Sequence, residues 1–159
     1  MSIDIRLAEA GEIDKIYNFY EAVCKELEGA KYSPLWQIGY YPCIDDIENH
    51  INNKNMYIAV IDGIIASAMA TVNHGDHSSL HLLAVHSDFH NQHLGRLMMN
   101  KLFEISKERK NSKVILDVVK GNLPAEKLYQ KMGFDYIGEK TEYIERVGNV
   151  DFNIYEYKI

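Results

Sequence analysis

Two apolar, β-branched runs, Met56–Ile61 and Ile64–Asn73, meet across Asp62-Gly63, and segments with a helical period lie on both sides of them. Asp-Gly between such runs predicts a tight hairpin, because a two-residue connection needs positive φ at both positions. Upstream, Ile13, Ile16, Tyr17, Tyr20, Val23 and Leu27 recur at the helical period until Gly29, predicting a helix over 12–27. A shorter helix is expected over 45–53, with Ile44, Ile47 and Ile51 on one side and Asp45 and Asp46 in its first turn. Downstream, strand candidates at 80–86, 113–119, 135–145 and 151–158 are interleaved with helical stripes. One stripe is Leu94, Leu97, Met98, Leu102 and Ile105; the other is Ala125, Leu128, Tyr129 and Met132. With a strand over 3–8, the order is β-α-α-β-β-β-α-β-α-β-β. That is a mixed α/β chain, neither a helix bundle nor a sandwich.

At 159 residues, with no linker or internal repeat, one domain over 1–159 is expected. No apolar run approaches the roughly 18 to 20 residues of a membrane helix, and the first six residues lack the apolar core of a secretory signal. Cys24 and Cys43 are too few for a disulfide framework or a cysteine-based zinc site. The spacing of His74, His77 and His81 fits no helix-borne ligand pair, so no metal is expected. A cytoplasmic location without a membrane partner follows as the simplest expectation. The net charge of −6 argues against nucleic acid, whose phosphates need Lys and Arg. Between Val85 and Lys110, however, Arg96, Lys101, Lys107, Arg109 and Lys110 outnumber Asp88, Glu104 and Glu108. A small anion can bind there.

The same stretch reads as a strand, a loop and a helix start, and successive N–H groups entering a helix form a ready anion site. Gly95 marks a tight turn or a close approach of the backbone to a ligand. Ala84-Val85-His86-Ser87-Asp88-Phe89-His90-Asn91-Gln92-His93-Leu94-Gly95-Arg96 resembles the acyl-CoA signature of the GNAT (GCN5-related N-acetyltransferase) superfamily. Twenty-seven residues past Gly95, Asn122, Ala125, Leu128-Tyr129, Lys131 and Gly133-Phe134 resemble that family's second motif. The resemblance implies a mixed, mostly antiparallel central sheet flanked by helices, and acetyl-CoA as cosubstrate. It also implies cofactor contacts from Leu83, Ala84, Val85, His90, Asn91, Gln92, His93, Leu94, Gly95, Arg96, Asn122, Ala125 and Tyr129. Three positions depart from the pattern: His90 stands for Arg or Gln, His93 for a Gly and Ser87 for Pro. Because the family's loop binds through main-chain N–H groups, these changes need not abolish binding. His93 costs strain where positive φ is required, and His tolerates that region better than most.

For the chemistry, the resemblance assigns the Val85 N–H to the oxyanion and the Tyr129 hydroxyl to the leaving thiolate. His81 is the candidate base, since 79–86 is similar to the strand of arylalkylamine N-acetyltransferases with Ser79 replacing the first of two histidines. Period-2 alternation predicts that His81 and Val85 share a sheet face. Residues 32–41 hold four aromatics in ten positions, against 11% overall, which suggests a pocket wall. Trp36 and Tyr41 are therefore candidate acceptor contacts, with Glu28 as a counter-charge. The expected activity is acetyl transfer to a primary amine of a small molecule or peptide, with a homodimer as a possible assembly. The alternative is a CoA-binding sensor or interaction module with little or no transferase activity.

Overall fold

A computed structural model describes residues 2–30 and 34–159; the side chains of Asn91 and Gln92 lie outside this description. The elements are β1 (Ile3–Leu7), α1 (Ile13–Glu26), α2 (Ile44–Asn52), β2 (Met56–Ile61), β3 (Ile64–Asn73), β4 (His77–Val85), α3 (Leu94–Glu108), β5 (Lys113–Val119), α4 (Leu123–Lys131), β6 (Asp135–Ile144) and β7 (Gly148–Lys158). Short 3₁₀ turns at Ala10–Glu12 and Ser87–Gln92 precede α1 and α3. The order matches the sequence pattern, and the Asp62-Gly63 turn has φ of 51° and 78°, as a tight hairpin requires.

β4 begins at His77, three residues before the expected start. The polar run His77-Ser78-Ser79 hides the strand from a hydrophobicity reading. Ser78 is buried there because Arg109 donates to its hydroxyl at 2.9 Å and it donates in turn to Asn111. Arg109 also reaches the Thr71 hydroxyl, which ties the end of α3 to the β3–β4 hairpin.

The seven strands form one sheet in the order β1-β2-β3-β4-β5-β7-β6. Every neighbouring pair is antiparallel except β4 and β5. Helices cover both faces. On one, α3 packs Leu94, Met98, Met99, Leu102 and Ile105 against Leu80, Val114 and Leu116. On the other, α1 and α2 pack Ile16, Phe19, Tyr20, Val23, Ile47 and Ile51 against Ile58, Ala68, Leu82 and Ala84. A fully buried aliphatic or aromatic side chain contributes about 1.5–3 kcal/mol, so both layers hold the sheet firmly.

The parallel pair sets up the site. β4 and β5 pair at His77↔Lys113, Ser78↔Val114 and Ser79↔Ile115, and no further. Beyond that point the two strands diverge, opening a wedge in the middle of the sheet. On its other side β4 slips register against β3 between Ala68 and Ala70, where Leu82 and Leu83 oppose Met69. This β-bulge puts Leu82 at φ 59°, a conformation that a bulky residue adopts at a cost.

Candidate active site

The bulge exposes polar groups that the β3–β4 ladder leaves unpaired, and two tyrosines meet them. Tyr20, fully buried in α1, donates to the Leu82 carbonyl at 2.8 Å. Burial pushes the Tyr41 hydroxyl up to about 12, with backbone hydrogen bonding from Leu82 acting in the opposite sense. The aromatic connector is thus fastened to the strand: Trp36 stacks on Tyr20 at 6.1 Å and meets Tyr41 edge-on at 5.2 Å.

The extra residue also reverses the facing of β4. Ser78 and Leu80 point toward α3, whereas Leu82 and Ala84 point toward α1 and α2. His81 therefore faces α2, stacking 6.3 Å from His50, while Val85 packs with the α3 layer. The expectation that His81 and Val85 share a face is incorrect, since period 2 fails across a bulge. The main chain of Val85 does reach the wedge. His86 donates to Ala66 at 2.8 Å, so the adjoining Ser67↔Val85 pair is a non-hydrogen-bonded one. The Val85 N–H and C=O consequently point away from β3, to the side that β5 has vacated.

Three depressions follow the wedge in series. The first, about 340 Å³, is lined by Trp36, Tyr41, Ser79, His81, Asp117 and Phe152 among others. The second, about 420 Å³, runs along Leu83, Ala84 and Val85 between α1 and α4, with Glu26 at its edge. Trp36, Leu83, Asn122, Ala125 and Tyr129 belong to both. The third, about 450 Å³, continues from Val85, His90 and Gly95 to His93, Arg96, Lys127 and Lys131. Among the described residues its lining holds three Lys and Arg side chains and no carboxylate, a basic end on an acidic protein.

Main-chain donors line that basic end. α3 starts at Leu94, so its first-turn N–H groups have no intrahelical acceptor and carry the positive end of the helix dipole. His93 sits just before it at φ 55°, ψ 29°, so the left-handed conformation is required at this position. Gly95 answers a packing need and not a turn: a Cβ there would lie 3.2 Å from Leu128 Cδ2, so it lets α4 close against α3. His90 folds back, its Nε2 donating to the Val85 carbonyl at 3.1 Å, with Glu26 at 3.9 Å.

At the joint between the first two depressions stands Tyr129, only 8% exposed. Asn122 caps α4 by accepting from the Ala125 N–H, and Pro124 occupies the first turn, as the sequence suggests. Glu126 then pins the helix to β7, accepting from the Tyr155 hydroxyl at 2.8 Å and from Asn153 at 2.6 Å. Tyr129 is packed between Phe134 and Tyr155. Burial drives its pKa well above the ordinary tyrosine value, so it remains a proton donor at any physiological pH. Desolvation, with His50 second, lowers the pKa of His81 and keeps that imidazole neutral at pH 7.

These elements match known proteins. The family model for the Acetyltransferase (GNAT) family matches residues 19–134. The chain belongs to the GNAT family. Its N-acetyltransferase fold superposes on the paia N-acetyltransferase of Thermoplasma acidophilum, solved in complex with coenzyme A, with a TM-score of 0.78 at 19% identity and full coverage of both chains. A GNAT-family acetyltransferase of Streptococcus agalactiae gives a TM-score of 0.79 at 20% identity, covering 99% of this chain and 95% of that one. In sequence, N-acetylaspartate synthetase of Homo sapiens is 27% identical over 90 residues, spanning 55% of this chain but only 30% of that protein.

Within this GNAT chain, the wedge brings together Trp36, Tyr41, His81, Leu83, Ala84, Val85, His90, His93, Leu94, Gly95, Arg96, Asn122, Ala125 and Tyr129. The side chains of Asn91 and Gln92, and residues Tyr32 and Ser33 of the connector, lie outside the described residues. Glu28 is not brought in: it is exposed beyond the end of α1 and lines, with Asn18, Glu21 and Lys25, a depression that shares only Leu27 and Trp36 with the wedge. The carboxylates that do border the wedge are Glu26 and Asp117, the latter 2.7 Å from Lys140. Lys127 also escaped the sequence reading, although its i,i+4 spacing from Lys131 on a helix facing the loop is a usable signal.

Proposed function

We propose that this chain transfers the acetyl group of acetyl-CoA to a primary amine of a small molecule or peptide by direct attack on the thioester. The observation that carries the reading is the continuity of the wedge: a basic end rich in main-chain donors, an apolar middle beside β4, and an aromatic-walled pocket, with Tyr129 where the last two join. Leu94, Gly95 and Arg96 N–H groups, with Arg96, Lys127 and Lys131, suit a diphosphate; Leu83, Ala84, Asn122 and Ala125 suit the pantetheine arm.

Attack requires a neutral amine. A lysine-like amine of pKa near 10.4 is about one part in a thousand neutral at pH 7, a handicap of roughly 4 kcal/mol. His81, held neutral, removes that proton. The Val85 N–H, free of the ladder, stabilises the developing oxyanion. Tyr129 donates to the departing thiolate sulfur. The walls of the acceptor pocket are Trp36 and Tyr41, and a cation against Trp36 gains about 0.5–2 kcal/mol. We read the whole chain, 1–159, as one such domain working in the cytoplasm; among its described residues no helix is long and apolar enough to cross a membrane.

The test is thiol release from acetyl-CoA against a panel of arylalkylamines, polyamines, amino acids and short peptides. Turnover with at least one amine, and none with the matching alcohols, is expected. Tight coenzyme binding without turnover on any acceptor would favour a sensor instead.

A further inference from the structure

We propose that His81, Ser79 and His74 form a relay that carries the acceptor's proton from the active-site pocket to solvent, an inference that rests on the acetyltransferase reading above. The Ser79 hydroxyl lies 2.7 Å from His81 Nε2 and 2.8 Å from His74 Nε2. A hydroxyl has one hydrogen, so it must donate to one imidazole and accept from the other. The three groups are therefore a directional chain. Both rings are exposed, but to different spaces: His81 to the pocket, which a bound acceptor would close, and His74 to solvent beyond the end of β3. Among the described residues, neither Nδ1 has a hydrogen-bonding partner, which leaves one free for the amine and the other for water.

Proton movement balances without any other reactant. His81 Nδ1 takes a proton from the acceptor nitrogen, and His81 Nε2–H passes its own to Ser79 Oγ. The Ser79 hydroxyl hydrogen goes to His74 Nε2, and His74 Nδ1–H is released to bulk water. One proton enters, one leaves, and the rings then exchange tautomers to reset.

The surroundings give the chain a direction. His81 faces His50 from α2, Asp117 from β5 and Lys140 from β6. Of these, only Asp117 favours a positive ring; desolvation, His50, His74 and Lys140 oppose it. A proton accepted at His81 is thus poorly held and moves outward. His74 is braced for the hand-over, stacked 4.6 Å from His77, whose Nδ1 is fixed by Asp76 at 2.7 Å. The hairpin bearing these groups is itself held by Arg109 and Asn111, which bond to Thr71, Ser78, Asn73 and Gly75.

The test uses the full chain with acetyl-CoA and the fastest amine of the panel above. Ser79→Ala should lower kcat about threefold, less than loss of the base His81 itself, because water partly replaces the hydroxyl. KM for acetyl-CoA should stay unchanged. His74→Gln should cause a similar loss, the double variant no further loss, and Ser79→Thr should retain the wild-type rate. Imidazole buffer should restore turnover to Ser79→Ala, a response that a merely structural serine would not give. Wild-type kcat in Ser79→Ala across pH 6–9, or a loss that neither imidazole nor threonine repairs, overturns the relay while leaving the acetyltransferase standing. Absence of thiol release by the wild type with every amine overturns both.

Discussion

The two ends of the wedge are built from different material. At the basic end the donors are main-chain N–H groups at the start of α3, and the side chains around them are exposed: His90 and His93 stand where the family pattern has other residues, yet the chain still turns through His93 into the helix start. At the other end the surfaces are side chains, each held by a neighbour: Tyr41 by the Leu82 main chain, Trp36 by Tyr20 and Tyr41, Tyr129 by Phe134 and Tyr155, His81 by Ser79. A main-chain site tolerates substitution because every residue supplies the same N–H; a side-chain site does not. Mutations should therefore separate the two ends, with rate lost at one and little change at the other.

The largest effect is expected at the joint. Tyr129→Phe keeps the ring packed between Phe134 and Tyr155 and removes only the hydroxyl. A thiol of pKa near 8.5 leaves without much help, so kcat should fall about 10- to 100-fold, at or below the low end of general-acid effects. KM for acetyl-CoA should hold. Unchanged turnover, with chemistry shown to be rate-limiting, would assign Tyr129 to packing alone. Next is His81→Gln, expected to lower kcat by about tenfold. Since burial depresses the His81 pKa, the wild type should keep its neutral base to below pH 6.5 and lose rate as pH falls through that lowered value. The variant should lose this acidic limb. A limb that persists in it belongs to another group.

How much of this was readable beforehand follows the same division. The helical stripes, the Asp62-Gly63 turn and the Asn122-Pro124 helix start are local, and local pattern placed them. The loop and its helix were legible through Gly95 and the spacing to Asn122, although Gly95 turned out to serve Leu128 and not a turn. What stayed hidden is non-local. The bulge at Leu82 has no residue of its own to announce it: no glycine or proline stands there, and its cost is met by Tyr20, sixty-two positions away. Because nothing local signals the bulge, simple alternation puts His81 and Val85 on one face when they lie on opposite faces. No sequence pattern distinguishes Glu28 from other exposed carboxylates, and the carboxylate that lines the pocket of Trp36 and Tyr41, Asp117, comes from β5.

That hidden contact gives a third test, on stability. Tyr20→Phe leaves the buried Leu82 carbonyl without its donor, which should cost about 1–3 kcal/mol in denaturant unfolding. If the bulge relaxes to regular pairing instead, the loss in stability will be small and His81 will change face, so kcat should drop with the acetyl-CoA KM intact. Acid should act on the same region. His81 and His50 both have pKa values lowered by burial, so the unfolded chain binds more protons than the folded one between those values and about 6.5. Stability contributed by their neutral forms is present above pH 6.5 and is lost as pH falls through the lowered values. Melting at pH 7.5 and pH 5 checks this, and His50→Gln should flatten part of the difference.

The smallest effect belongs to the basic end. His93→Gly replaces a side chain at φ 55° with the residue that adopts this conformation freely. Relief of left-handed strain, about 1–2 kcal/mol for a general residue and less for His, is offset by the greater freedom that glycine gives the unfolded chain. Net stability should move by less than about 1 kcal/mol. Coenzyme affinity, measured calorimetrically, should stay within about threefold, because the donors of Leu94, Gly95 and Arg96 are untouched, a change of under 1 kcal/mol. A loss beyond tenfold would mean that the imidazole itself grips the anion. The basic end would then be a side-chain site after all, and the contrast between the two ends would disappear.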